Sequence, residues 1–194
     1  MIKRLLTGMM LAAMISGCAT SRQASESTSA TAAPVIAAAP VPTTAAEGNQ
    51  ANSAGDIPDT QTFVAYAGPG YSVLVPEGWS RTQRGSTVTF TWNANAEAVD
   101  IGKPGDTTAQ LRARFGAAGP IAFRRAAIGG TPVTVAGFTS RSAPNAVTGK
   151  SVRLENNAYV FDRSGRRAVL VLSAPAGADN ADQWKKISES FRWK

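Results

Sequence analysis

Thr87-Val-Thr-Phe-Thr-Trp92 alternates without a fault. Val88, Phe90 and Trp92 fall on one side and Thr87, Thr89 and Thr91 on the other, because successive side chains of an extended chain point to opposite faces. A segment apolar on one side and hydroxyl-bearing on the other reads as a half-buried strand, with all three apolar residues in the core. It also sets the reading of its surroundings. From about Gln61 to the C-terminus, short apolar runs recur between Gly, Pro, Asn and Asp, the pattern of an antiparallel β-rich domain.

Upstream, Tyr71-Ser-Val-Leu-Val forms a strand stopped by Pro76, which cannot donate to a ladder, with Gly78 turning the chain before Trp79. Phe63 to Ala67 is a weaker strand before it. Downstream, Ala98 to Ile101 is a strand closed by Gly102-Lys-Pro-Gly105. Asp106 or Thr107 then caps a short helix, with Thr107 and Gln110 spaced as a capping box, Leu111 and Phe115 on one face, and Arg112 and Arg114 pointing away. Ile121 to Ile128 and Val133 to Thr139 read as strands broken by Gly129-Gly130-Thr131-Pro132, followed by a polar loop from Ser142 to Gly149.

Val152 to Phe161 continues the sheet with a bend at Asn156-Asn157, and Asp162-Arg-Ser-Gly165 is a hairpin turn. It leads into Ala168-Val-Leu-Val-Leu172, apolar on both faces and therefore a central strand covered from both sides. A last helix starts at Asp179 or Asn180 with Asp182 in its first turn. It places Trp184, Ile187 and Phe191 on one stripe, and leaves Lys185, Lys186 and Glu189 to water. Phe191 and Trp193 can dock as a short terminal strand. The fold class expected is α+β, a central antiparallel sheet of about six to seven strands flanked by helices.

The N-terminus has a different character. In Met1-Ile-Lys-Arg-Leu-Leu-Thr-Gly-Met-Met-Leu-Ala-Ala-Met-Ile-Ser-Gly-Cys18, two cations precede an apolar run from Leu5 to Ile15, and small residues lead to the single cysteine. That is the layout of an export signal, and a run of this length falls short of the roughly 20 residues that span a bilayer as a helix. Ile15-Ser16-Gly17-Cys18 resembles the lipobox of bacterial lipoproteins, with Ile15 where that family most often has Leu. The resemblance implies cleavage before Cys18, a diacylglyceryl group on its thiol and attachment to a membrane. Ala19, not Asp, follows the cysteine, which in a Gram-negative source favours the outer membrane. Residues 18–60 are then a lipidated N-terminus and a disordered Ala/Ser/Thr/Pro tether with a reach of about 35 Å. Three parts are expected: 1–17 signal, 18–60 tether, 61–194 domain.

Composition excludes whole classes of chemistry. With no histidine and one cysteine, Ser-His-Asp and Cys-His catalysis, zinc sites and disulfides are all ruled out. Thirteen carboxylates leave open a carboxylate-dependent hydrolase. Ser151 beside Lys150 does not suggest a Ser-Lys pair, since neighbours on a strand face opposite ways. Gly129-Gly130 and Gly68-Pro69-Gly70 lack phosphate-loop spacing and read as turns. Trp79, Trp92, Trp184 and Trp193 could form a sugar-stacking platform, but Trp92 and Trp184 fall on expected core stripes and Trp79 at a turn.

Tyr71-Ser-Val-Leu-Val-Pro-Glu-Gly-Trp79 together with Asp182-x-Trp-x-x-Ile-x-x-Ser-Phe191 resembles the strand opening and closing helix of PsbP-like domains. That superfamily also takes in Ran-binding proteins and bacterial envelope lipoproteins. The resemblance covers roughly residues 63–194 and implies a sheet flanked by helices with a non-catalytic accessory or binding role. It carries over no catalytic residue and no cofactor.

Charge is the remaining signal. Residues 61–194 hold 17 Lys and Arg against 9 Asp and Glu, net +8, whereas residues 19–60 are net −3. Arg112, Arg114, Arg124, Arg125, Arg163, Arg166, Arg167, Lys185 and Lys186 fall on expected outward faces and form the candidate anion-binding surface. The expected partners are the membrane through the lipid anchor and an anionic envelope polymer or envelope protein; export makes nucleic acid an unsuitable target. The chain is thus expected to be a non-enzymatic envelope lipoprotein, with a hydrolase or a purely structural membrane-to-wall tether as alternatives.

Overall fold

The computed structural model describes residues 55–194. The signal segment, Cys18 and the tether as far as residue 54 lie outside the described residues. In chain order the domain runs β1 (Phe63–Gly68), β2 (Tyr71–Pro76), β3 (Ser80–Arg84), β4 (Thr87–Trp92), β5 (Asn95–Gly102), α1 (Thr107–Phe115), β6 (Ile121–Ile128), β7 (Thr131–Arg141), β8 (Arg153–Arg163), β9 (Arg166–Pro175), α2 (Ala181–Ser190) and β10 (Arg192–Trp193). Seven strands form an antiparallel sheet in the order β3-β4-β5-β9-β8-β7-β6, and a smaller antiparallel sheet has the order β1-β2-β10. The α+β architecture is the one the alternation implies.

Register explains how the core is built. Directly paired residues share a face. Val88, Val99, Leu170, Tyr159, Val135 and Arg124 therefore form one row across six strands. Its first five members are buried with Tyr71, Val73 and Val75 of β2 and with Ile187 and Phe191, so the small sheet and α2 cover this face. On the opposite face Ala136, Phe138, Ala158, Val160, Val169 and Val171 pack beneath α1 through Leu111. Phe115 stacks on Phe138 with ring centres 4.5 Å apart. β9 is buried on both sides because each face has its own cover, as the run Ala168–Leu172 requires.

The turns behave as their residues dictate. Gly129 and Gly130 both have positive φ (55° and 78°), joining β6 to β7 by a two-residue loop, and Ser164 with Gly165 (48° and 75°) does the same for β8 and β9. Arg192 and Trp193 pair with Ser72 and Tyr71, the terminal strand expected from the sequence.

Several details depart from the sequence reading. Trp92 is 40 % exposed, because β4 outruns the cover above it after Phe90. β3 is a fully exposed strand with no apolar alternation to announce it, held by its ladder to β4. β8 passes Asn156 and Asn157 without a break in pairing. Asp106 caps α1, its carboxylate accepting the Ala109 N–H at 2.9 Å, so Thr107 is not the cap. Among the described residues, packing includes Ile57, 2 % exposed and ahead of the expected domain start at residue 61.

Candidate binding groove

The row containing Arg124 runs out from under its cover at the β6 edge, and there the same face of the sheet forms the floor of a groove. In the neighbouring row, Leu172, Asn157, Gly137 and Ala122 are paired in sequence across β9, β8, β7 and β6. Gly137 and Ala122 present little or no side chain, so the floor is depressed between Arg124 and Tyr159 on one side and Thr139 and Glu155 on the other. α2 supplies the wall through Trp184, Lys185 and Ser188. The hollow has a volume of about 430 Å³, and a second of about 650 Å³ lies beside it along the β6–β8 floor, Glu155, Asn157 and Trp184 lining both. That size suits a small-molecule or glycan site.

The groove's chemistry is mixed. Tyr159 is 6 % exposed, and burial raises its hydroxyl pKa despite the opposing influence of Arg124, Ser188 and Asn157 beside it. Arg124 and Lys185 are exposed, and among the described residues neither is within ion-pair distance of a carboxylate. Glu155 and Asp179 also line the groove. Trp184 is half-buried, packed against the core and bordering both hollows, and among the described residues it pairs with no other aromatic ring.

The nine cations expected to face outward divide between the two faces of the large sheet. Arg124, Lys185 and Lys186 lie on the α2 side, where Lys186 sits over the Phe63 ring at 4.4 Å. Near the β8–β9 turn, Arg163 donates to the Trp193 carbonyl at 3.3 Å, and half-buried Arg166 lies 4.7 Å from the Trp193 ring centre while donating to the Pro69 carbonyl. On the α1 side, Arg112 covers the Phe123 ring at 5.1 Å and Arg114 pairs with Asp100 at 2.6 Å. Arg125 shares a shallow hollow with Asp106 and Asp162.

Arg167 corrects the sequence reading: it is 4 % exposed, beneath α1, donating to both Asp162 oxygens, to Thr107 Oγ1 and to Gln110 Oε1. The strand alternation that makes Val169 and Val171 inward on that face makes Arg167 inward too. Asp100 is held below its ordinary value of 3.8: burial would raise it, but hydrogen bonds from Ser86, Thr87 and Arg114 together with the Arg114 charge outweigh that.

Asn157, Tyr159, Glu155 and the groove-facing side of Trp184 were not singled out by sequence. One signal was available: Gly137 is an isolated glycine within a strand, which marks a place where another group approaches the backbone closely.

No family model matches the chain, and no curated protein matches it. Solved structures similar to it include a protein of Bacteroides thetaiotaomicron, at 12% identity and TM-score 0.47, covering 67% of this chain and 48% of that one. They also include the cyanobacterial PsbP of Synechocystis, at 13% identity and TM-score 0.43, covering 69% of this chain and 94% of that one. A third is LpqN of Mycobacterium tuberculosis, involved in cell envelope biogenesis, at 19% identity and TM-score 0.38, covering 68% and 88%. The chain spans about half the length of the Bacteroides protein. What the domain does is read from its own residues.

Proposed function

We propose that the chain is a lipid-anchored protein of the cell envelope, exported and held at Cys18, whose domain has a non-catalytic accessory or binding role exercised through its exposed cations. The observation that supports it most is how the charge is disposed. Of the 9 acids among residues 61–194, Glu97 is sealed in the core, while Asp100 and Asp162 are engaged by Arg114 and Arg167. Arg112, Arg124, Arg125, Lys185 and Lys186 remain exposed with no carboxylate at ion-pair distance among the described residues.

Each such cation near an anionic surface contributes on the order of 1 kcal/mol, and the attraction decays over a Debye length of about 8 Å at physiological salt. The cations would act in addition to the anchor, whose two acyl chains suffice to hold the protein on the membrane. Two measurements test the reading. Cys18→Ala should release the protein from the membrane fraction and remove the lipid mass. The same variant should bind anionic vesicles at low ionic strength and leave them at high, while neutral vesicles bind little at either. An unchanged mass and membrane fraction for Cys18→Ala overturns the anchor, and equal partitioning to both vesicle types overturns the cationic surface.

A carboxylate-dependent hydrolase is the second reading, favoured by one observation: Glu155 and Asp179 line the same groove. Hydrolysis of a glycan that stops on changing Glu155→Gln would establish it.

A further inference from the structure

Five features of the groove select a ligand class. Trp184 is half-buried and lines both hollows, placing beside the floor an indole of the kind on which the apolar face of a sugar stacks. Asn157 and Tyr159 place an amide and a hydroxyl on the floor, groups that can donate and accept at neighbouring sugar hydroxyls. Gly137 has no side chain and its cross-strand partner Ala122 only a methyl, so the β6–β7 part of the floor carries no bulky group under a ring laid on it. Arg124 contributes guanidinium donors in the fork geometry that matches a carboxylate, with no carboxylate of the described chain at ion-pair distance. Lys185 adds a second positive charge from the wall.

The dimensions agree. Arg124 and Glu155 stand two rows apart along the strands, about 13 Å at roughly 3.3 Å per residue. That is long enough for more than one sugar ring. An apolar peptide strand would be poorly served by a floor carrying Arg124, Asn157 and Glu155.

We propose that this groove binds a saccharide bearing a carboxylate, with a sugar ring stacked on Trp184, its hydroxyls met by Asn157 and Tyr159, and its carboxylate held by Arg124 with Lys185. The inference rests on the binding reading above but needs neither the lipid anchor nor the remaining surface cations. Uronic acids and amino sugars with a lactyl ether share this chemistry.

The test titrates the full chain, purified in detergent, with three oligosaccharides of equal length: a galacturonate oligomer, a muramyl-containing wall fragment and a neutral chito-oligosaccharide. Indole Nε1–H signals in NMR report binding. The expected result is that one or both acidic oligomers shift the Trp184 signal and bind at least tenfold more tightly than the neutral one; which acidic oligomer responds identifies the source. Arg124→Gln should bring acidic and neutral affinities to within about twofold. Because Trp184 touches the core, Ala122→Phe serves as a second variant that fills the floor from an exposed position and should abolish binding with an unchanged melting midpoint. Absence of saccharide binding at millimolar concentration, binding that both variants leave intact, or tighter binding of an acidic peptide overturns the inference. Salt-dependent vesicle binding in the presence of any of these results would leave the cationic-surface reading standing, so the two fail separately.

Discussion

The Ile57 N–H donates to Asn180 Oδ1 at 2.7 Å, across 123 residues of chain. Asn180 precedes α2 at the cap position, yet its side chain makes no capping bond to its own helix. It accepts from Ile57 and donates to the Gly55 carbonyl and to Asn95 Oδ1. Gln183 donates to the Ile57 carbonyl and to Asp59. A capping residue has been diverted to strap the segment before β1 onto the domain. Its removal should therefore cost stability: a fragment starting at Gln61 is expected to unfold at lower denaturant than one starting at Ala51. Ile57→Ala should account for about 2–4 kcal/mol of that, as truncation of a buried branched side chain does. Equal urea midpoints for the two fragments would show that the strap adds nothing.

Glu97 is fully buried between Phe90 and Leu172 of its row, and among the described residues neither carboxylate oxygen has a hydrogen-bond partner. Desolvation pushes its pKa well above the ordinary 4.5. A raised folded-state value means that the native protein holds a proton the unfolded chain releases. Stability is then full below about 4.5 and is lost, by about 1.4 kcal/mol per pH unit, as pH climbs toward the folded value. The chain has no histidine, so this loss is not masked by the usual titration near neutrality. Urea unfolding at pH 5 and pH 7 should show the decline, and Glu97→Met should remove it and raise stability at pH 7. A wild-type protein as stable at pH 7 as at pH 5 would sink the prediction.

Glu97 also shows where sequence reading stops. The alternation in Thr87–Trp92 correctly assigns Val88 and Phe90 to the core, and the doubly apolar run in β9 correctly demands two covers. Both readings need only one strand. Whether a position at a strand's end is covered depends on what lies above it: Trp92 and Glu97 share a face of the sheet, yet the first is exposed and the second sealed. The groove has the same origin. Its members come from β6, β7, β8 and α2, and only the register that aligns Arg124 with Val135 and Tyr159, and Ala122 with Gly137 and Asn157, brings them together. The cations were legible as a count, but their division between two faces, and the burial of Arg167, follow from cross-strand placement.

Arg167 ties α1 to the sheet. It joins Asp162 on β8 to Thr107 and Gln110 on the helix, and its pKa rises further because the hydrogen bonds to Asp162 favour the charged form over the cost of burial. Arg167→Ala leaves three polar groups without their donor. Asp162 is 46 % exposed and can turn to water, which limits the loss, so about 2–3 kcal/mol is expected in place of the larger cost of breaking a fully buried pair. Amide exchange should show α1 losing protection more than β9 does. Equal loss in both would mean that Arg167 supports the whole core and not the docking of the helix.

Gly68 faces Tyr71 across the first step of the β1–β2 ladder, and the tyrosine ring lies over the glycine so closely that a Cβ there would collide with the ring carbons and the hydroxyl. Any larger residue must displace Tyr71, which is 1 % exposed and stacks on Phe191 with ring centres 5.8 Å apart. Gly68→Ala is therefore expected to cost about 1–3 kcal/mol, the range for overfilling a packed site. Gly102→Ala, at a position with open space around it, should cost a few tenths of a kcal/mol. A second readout identifies the cause. Burial, with Tyr66 and Glu97 nearby, pushes the Tyr71 hydroxyl up to about 12. If Gly68→Ala expels the ring into water, absorbance titration should show one tyrosine moving back toward 10. Loss of stability with that tyrosine still ionising near 12 would show that the ring stays in place and that the strain is taken up by the backbone of the turn.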